Sequence, residues 1–201
     1  MITNFRKLHK FLTRLKLKNK NFSLISSNCN GTFILKDLNL KYNTPFINLW
    51  LYPKDFLKFV SNIDYYSNLE LEFEKNEEFS FPVGILDDIK IFFQHYSNEK
   101  EAKEKWERRV KRINKENIFI LMTDRDGAKE EDLIAFDNLP FENKIVLTNK
   151  KYLNIKSSIY ISGFEKENCV GNCYEYKNWF SIKRKYEAFD FVTWFNSSKI
   201  R

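Results

Sequence analysis

Phe22-Ser-Leu-Ile-Ser-Ser-Asn-Cys-Asn-Gly31 decides how the chain is read. An apolar-leaning run, strand-like over Phe22–Ser27, gives way to small polar residues, a thiol and a glycine, and Thr32–Leu38 can follow as a short helix. A strand that turns into a helix in this way opens an α/β unit. Such turns are where α/β proteins bind ligands and display nucleophiles.

Outward from this stretch, strands and helices alternate. Phe46–Tyr52 reads as a second strand, and Pro53 with Asp55 suits the first turn of a helix through Asn62. Leu69–Glu74 alternates at period two, as an edge strand or hairpin arm does, and Asp88–Gln94 is an aromatic, β-branched strand. Glu99–Asn114 is the clearest helix, with Asn98-x-x-Glu101 as its capping box. Ile118–Thr123 is a strand, followed by the turn Asp124-Arg-Asp-Gly127, a helix over Lys129–Phe136 and strands over Lys144–Thr148 and Ile159–Ser162. An aromatic-rich helix over Trp179–Asn196 closes the chain. This order predicts an α/β fold with a largely parallel, doubly wound sheet, Rossmann-like or flavodoxin-like, and helices on both faces.

At 201 residues the chain fits one such domain over residues 21–201, preceded by a basic helix over residues 1–20. Its 43% hydrophobic residues can fill an ordinary core, and the 5 Gly and 4 Pro argue against a repetitive or low-complexity protein. The net charge of +7 is concentrated: Arg6, Lys7, Lys10, Arg14, Lys16, Lys18 and Lys20 lie among the first twenty residues without one acid, leaving 27 basic residues against 27 acids elsewhere. A neutral body speaks against nucleic acid as a partner. Phe5, Leu8, Leu12 and Leu15 recur at helical spacing in the basic segment. Two readings stay open: a helix lying on an anionic membrane surface, or one docked on its own domain with a solvated basic face. With no signal peptide, no spanning segment and an odd count of three cysteines, the expectation is a cytoplasmic protein with free thiols, held peripherally at the inner face of the membrane if the first reading applies.

In a parallel sheet the functional crevice lies beyond the carboxyl ends of the strands. Cys29, His95 and Asp124 each directly follow a predicted strand, which puts them on one rim. On Asp88–Gln94, Ile89, Ile91 and Phe93 share a face that His95 continues. His95 could act as general base for Cys29 or stabilise its thiolate; the alternative is a histidine that caps a strand end. Cys29 could be a nucleophile, an inert buried thiol, or a marker of a backbone turn, with Asn28, Asn30 and Gly31, that holds an oxyanion or phosphate. Arg109 falls on the core-facing stripe of Glu99–Asn114, with Lys105 and Arg112 on its border. Arg109 needs an anion, supplied either by Asp87, Asp88, Asp124 or Asp126 or by a ligand phosphate. Asp124-Arg-Asp126 could bind a divalent metal as in sugar-nucleotide transferases, or Asp124 could simply cap the next segment. Cys169-x-x-x-Cys173 lacks two further zinc ligands at matching spacing, and no metal site is predicted. No Walker loop, GxGxxG, HExxH or GxSxG motif occurs.

The ordered set Ile25–Gly31, Phe81-Pro-Val-Gly-Ile-Leu-Asp-Asp-Ile89, Phe93-Gln-His-Tyr96, Glu101–Arg112 and Phe136–Lys144 resembles a bacterial family of unknown function whose members are often labelled exopolysaccharide biosynthesis proteins and occur in capsule loci. The resemblance covers roughly residues 20–165. Where that family follows its cysteine with an aromatic and two glycines, this chain has Asn30, Gly31 and Thr32. The Ser-Asn-Cys loop is also similar to capsule acetyltransferases with an Asn-Cys loop, which bind coenzyme A. The family resemblance implies a setting, surface-polysaccharide assembly, and not a mechanism. The leading expectation for that setting is an enzyme that transfers an acyl group, with a coenzyme A-type donor, to a hydroxyl of a sugar or lipid-linked saccharide. The alternatives are a metal-dependent glycosyl- or sugar-phosphate transferase and a non-catalytic binding module of the same machinery.

Overall fold

The structure, a computed structural model, describes residues 2–197. Helix α1 (Ile2–Lys16) precedes strand β1 (Ser23–Ser26) and helix α2 (Asn30–Asp37). Helices α3 (Pro53–Ser61) and α4 (Ile63–Asn68) lead into strands β2 (Glu72–Glu74), β3 (Val83–Leu86) and β4 (Ile89–Phe92). Then come α5 (Glu99–Val110), β5 (Ile118–Thr123), α6 (Glu130–Asp137), β6 (Lys144–Thr148), β7 (Ser158–Tyr160), a 3₁₀ turn over Lys185–Ala188, and α7 (Phe191–Asn196). The class is the expected α/β. Strands β1-β5-β6-β7 form a parallel four-stranded sheet, and β2-β3-β4 form a separate antiparallel sheet.

Alternation along the central strands feeds two cores. Ile25, Ile120, Met122 and Val146 face Phe56 and Phe59 of α3, Trp106 of α5 and Phe136 of α6. Leu24, Phe119, Leu121 and Leu147 face Ile34 and Leu35 of α2 and Phe195 of α7. The strands are thus buried on both sides, as a parallel sheet requires. The helices that follow β1 and β5 depart to opposite faces, which opens a crevice between the carboxyl ends of these two neighbouring strands. A Rossmann-like or flavodoxin-like order would need a further parallel strand outside β1. Among the described residues that place is taken by irregular chain: Leu51 N donates to Ser27 O at 3.0 Å.

Several expectations are corrected. Phe46–Tyr52 is not a regular strand; it makes one bridge, Trp50 to Phe92, and its buried Phe46, Ile47, Leu49 and Leu51 fill the core without alternating. Asp88–Gln94 does not enter the parallel sheet, because β3 pairs with it antiparallel through the two-residue turn Asp87-Asp88, where Asp87 has φ +53°. The closing helix shrinks to α7, since Trp179–Arg184 is loop and Trp179 and Phe180 are solvent-exposed. The capping box is altered: Asn98 Oδ1 accepts from Glu101 N at 2.9 Å, while Glu101 Oε2 accepts from Ser97 N rather than from Asn98.

Of the two readings of α1, docking with a solvated basic face is corrected: the helix docks the opposite way round. Its basic side faces the body: Lys10 pairs with Asp37 at 2.5 Å, Arg14 Nε donates to Asp37 O at 2.7 Å, and His9 meets Glu187 at 2.5 Å. Phe5, Leu8, Phe11, Leu12 and Leu15 are solvent-exposed. Among the described residues, no helix is long and apolar enough to cross a membrane.

Candidate functional site

The end of β1 builds the floor of the crevice. Asn28 is buried and fully engaged. Its Nδ2 donates to Thr123 Oγ1 at 2.7 Å and to Asp126 Oδ2 at 2.9 Å, and its Oδ1 accepts from Asn30 N and Nδ2 at 3.2 and 3.0 Å. Asn28 therefore clamps the turn after β1 to the turn after β5. Gly31 lies in the first turn of α2, directly against the strand: a Cβ there would sit 2.4 Å from Ser26 Cβ. Its role is close helix–strand packing rather than ligand contact.

The resulting cavity of about 480 Å³ is lined by Asn28, Cys29, Asn30 and Phe33 from the β1–α2 turn, and by Arg125 and Asp126 from the β5–α6 turn. Trp50, Gln94 and His95 come from the bridge and hairpin, and Asn172 and Tyr174 from the carboxyl-terminal segment. Cys29 and His95 thus line one cavity, although by a different route from the shared parallel sheet that the sequence suggested. The hairpin reaches the rim because Trp50 bridges Phe92 and stacks on it at 3.9 Å, while Leu51 is tied to the end of β1. Phe33 and Tyr174 stack at 3.9 Å as a second aromatic wall.

Within the cavity the titratable groups are tuned by burial. Burial pushes the Cys29 thiol up to about 11, with the nearby Asp126 carboxylate adding to the effect. Its Sγ donates to Leu49 O at 3.7 Å. At neutral pH it is a protonated, hydrogen-bonding thiol, not the thiolate a nucleophile requires. Burial also raises Asp126, against the opposing hydrogen bond from Asn28 and the Arg125 charge. Asp126 holds a left-handed φ of +60°, a conformation tolerated best by Asn and Asp, in the turn that brings its carboxylate to Asn28.

The other sequence candidates lie elsewhere. Asp124 is buried, and its two carboxylate oxygens accept from Asn149 N and Val170 N, both at 2.7 Å. It is the cap of the adjoining loops, and Asp124 and Asp126 are turned to different partners. Among the described residues no group of three His, Cys, Asp or Glu side chains is arranged to hold a metal ion.

Lys105, Arg109 and Arg112 remain on or just beyond α5 and do not line the cavity. Lys105 pairs with Glu101 one turn away. Arg109 is half-buried and meets no aspartate: its Nη1 donates to Tyr96 Oη at 2.6 Å, and Tyr96 Oη in turn donates to Ile47 O at 2.7 Å. The aspartates proposed for it are otherwise engaged, Asp88 by Lys58 and Tyr66 and Asp87 by Tyr65. Half-buried Arg184 pairs with buried Asp37, a contact that sequence reasoning missed. Also missed was Arg125, the cation that does line the crevice. It stands inside the Asp-x-Asp turn, whose two carboxylates carry the stronger sequence signal. Trp50 and Tyr174 carried no local signal.

Comparison with known proteins adds relationship to this geometry. A Haemophilus influenzae (strain ATCC 51907 / DSM 11121 / KW20 / Rd) protein described as an uncharacterized protein is 50% identical over 181 residues, covering 90% of this chain and 87% of the relative. The match to the family described as domain of unknown function (DUF1919) runs over residues 2–196, taking in both α1 and the crevice, and the chain belongs to that family.

Proposed function

We propose that the protein is an enzyme of bacterial surface-polysaccharide assembly that transfers an acyl group to a sugar hydroxyl in the β1/β5 crevice. The parallel sheet β1-β5-β6-β7 is read as half of a Rossmann-like sheet, a class whose ligands bind where successive helices part to opposite faces. One observation carries the reading. A half-buried carboxyl, Asp126, is held by buried Asn28 in a cavity walled by aromatic rings and edged with amides and one guanidinium. Sugars present an apolar C–H face and a rim of hydroxyls, and such a cavity offers a complement to both.

In this reading Asp126 accepts the proton of the attacking hydroxyl, its proton affinity raised by burial. His95, exposed on the hairpin side of the cavity, is available to protonate the departing group. Arg125 supplies fixed positive charge for an oxyanion or a donor phosphate, the task that Lys105, Arg109 and Arg112 were expected to perform. Cys29 is a hydrogen-bond donor in the wall, and transfer is direct, without an acyl-enzyme. A coenzyme A-type donor and a saccharide or lipid-linked saccharide acceptor are the substrates this chemistry implies. A cytoplasmic setting accords with three cysteines that are free thiols.

The test is acetylation of oligosaccharides from the native surface glycan with acetyl-coenzyme A, read by mass spectrometry. Asp126→Asn is expected to lower turnover by about 10²–10⁴-fold and Cys29→Ser by less than about threefold. Loss of activity in Cys29→Ser with an acyl adduct trapped on the wild-type thiol would overturn the direct mechanism. Hydrolysis of nucleotide sugars that requires a divalent cation would transfer the site to a glycosyltransferase. Binding of saccharide without any transfer would leave a binding module.

A further inference from the structure

The docking of α1 leaves a surface that the crevice does not explain. At about 100° per residue, Arg6, His9, Lys10, Thr13 and Arg14 form one stripe, and this stripe meets the body through Asp37, Glu187 and the carbonyls of Trp179 and Ser181. The opposite stripe is apolar and in solvent: Phe5 54%, Leu8 52%, Phe11 54%, Leu12 48% and Leu15 65% exposed. An amphipathic helix on a globular protein normally buries the other face. The Lys10–Asp37 ion pair and these hydrogen bonds hold it in place with the apolar stripe outward. The loop that Arg6 binds, at 2.8 Å to Trp179 O, also exposes two rings, Trp179 at 77% and Phe180 at 81%.

We propose that this face is a docking surface for an anionic lipid bilayer, into which α1 inserts its apolar stripe while lying parallel to the surface. A helix of 15 residues is shorter than the roughly 20 needed to span, yet suits immersion of one face by about 5–10 Å. Charge selects the partner. Lys7 and Lys16 border the apolar stripe on its two sides, and Lys18 and Lys20 extend from its end, all exposed, in a segment that contains no acid. These ammonium groups would meet lipid phosphates at headgroup depth, where an indole such as Trp179 is also favoured. A second copy of the chain, stacked on the same face, would bring these like charges together. This inference stands independently of the chemistry assigned to the crevice.

The experiment is co-sedimentation of the full chain with phosphatidylcholine vesicles, with or without phosphatidylglycerol. The wild type is compared with the triple variant Leu8→Ser, Leu12→Ser, Leu15→Ser. All three side chains are exposed, so an unchanged Tm verifies the fold of the variant. The wild type is expected to bind the phosphatidylglycerol vesicles and not the neutral ones, and to lose binding as salt rises. The triple variant is expected to bind at least about tenfold more weakly. Failure of the wild type to bind anionic vesicles, or equal binding by the triple variant, overturns the proposal. A lipid-free dimer that the triple variant abolishes would also overturn it, assigning the face to a second copy.

Discussion

The Cys29 thiol donates a hydrogen bond to the Leu49 carbonyl and its pKa is pushed up to about 11 by burial, so the thiol that stood out in the sequence is chemically quiet at neutral pH. Its alkylation by iodoacetamide in the native state should be slow near neutrality and keep accelerating up to and beyond about pH 9, because the thiolate is the reacting species. A rate that levels off below about pH 8 would contradict this. At Gly31 the account is steric. A methyl group 2.4 Å from Ser26 Cβ cannot be accommodated without separating α2 from β1. Gly31→Ala is therefore expected to lose about 1–3 kcal/mol, measured by denaturant unfolding. Adding Ser26→Gly should return part of it. The location of both residues was legible in the ten-residue stretch that contains them. Their properties were not, because what surrounds Cys29, namely Leu49, Asp126 and Arg125, comes from parts of the chain twenty and about a hundred residues away.

Among the elements, α1 is anchored most densely at one buried anion, Asp37. Asp37 accepts from Lys10, Arg184 and Tyr186; burial alone would raise its pKa, but these hydrogen bonds outweigh burial and hold the carboxyl below the usual carboxylate range. The sign follows. A carboxyl depressed in the folded state contributes stability above its ordinary value near 3.8, and loses it as pH falls through the lower folded value. Anchorage of α1 is thus expected to persist through neutral and mildly acid pH and to fail only in strong acid. Hydrogen exchange over residues 2–16 reads this directly. Asp37→Asn should raise that exchange already at pH 7 and cost about 3 kcal/mol or more, since it leaves Arg184 half-buried without its partner. Exchange unaffected by the substitution would show that α1 is held by other contacts. The spacing of Phe5, Leu8, Leu12 and Leu15 announced this helix, yet could not say which face docks. That is decided by Asp37, Glu187 and the Trp179–Ser181 backbone, which the fold alone brings together. Strand β5 and strand β6 were legible to the residue, being continuous apolar runs buried on both faces. The hairpin was misread because β3 has only four residues, including a glycine, and leaves too short a pattern to pair with β4 by inspection.

At the scale of the whole molecule, the parallel sheet sets where a ligand can sit and the antiparallel hairpin completes the wall. The rule that placed Cys29 on a rim holds because α2 and α6 leave neighbouring strands for opposite faces. The same rule placed His95 correctly through a wrong premise: β4 belongs to another sheet, and the Trp50–Phe92 bridge brings it to the crevice. A saccharide is the ligand proposed for this crevice. Backbone amide NMR of the full chain, titrated with oligosaccharides released from the native surface glycan, tests it most directly. The predicted shifts cluster at Asn28–Phe33, Trp50, Gln94–His95, Arg125–Gly127 and Asn172–Tyr174, and disappear in Trp50→Ala. Shifts confined to the separate cavity of about 460 Å³ between α1 and α7, or no shifts at all, would contradict it.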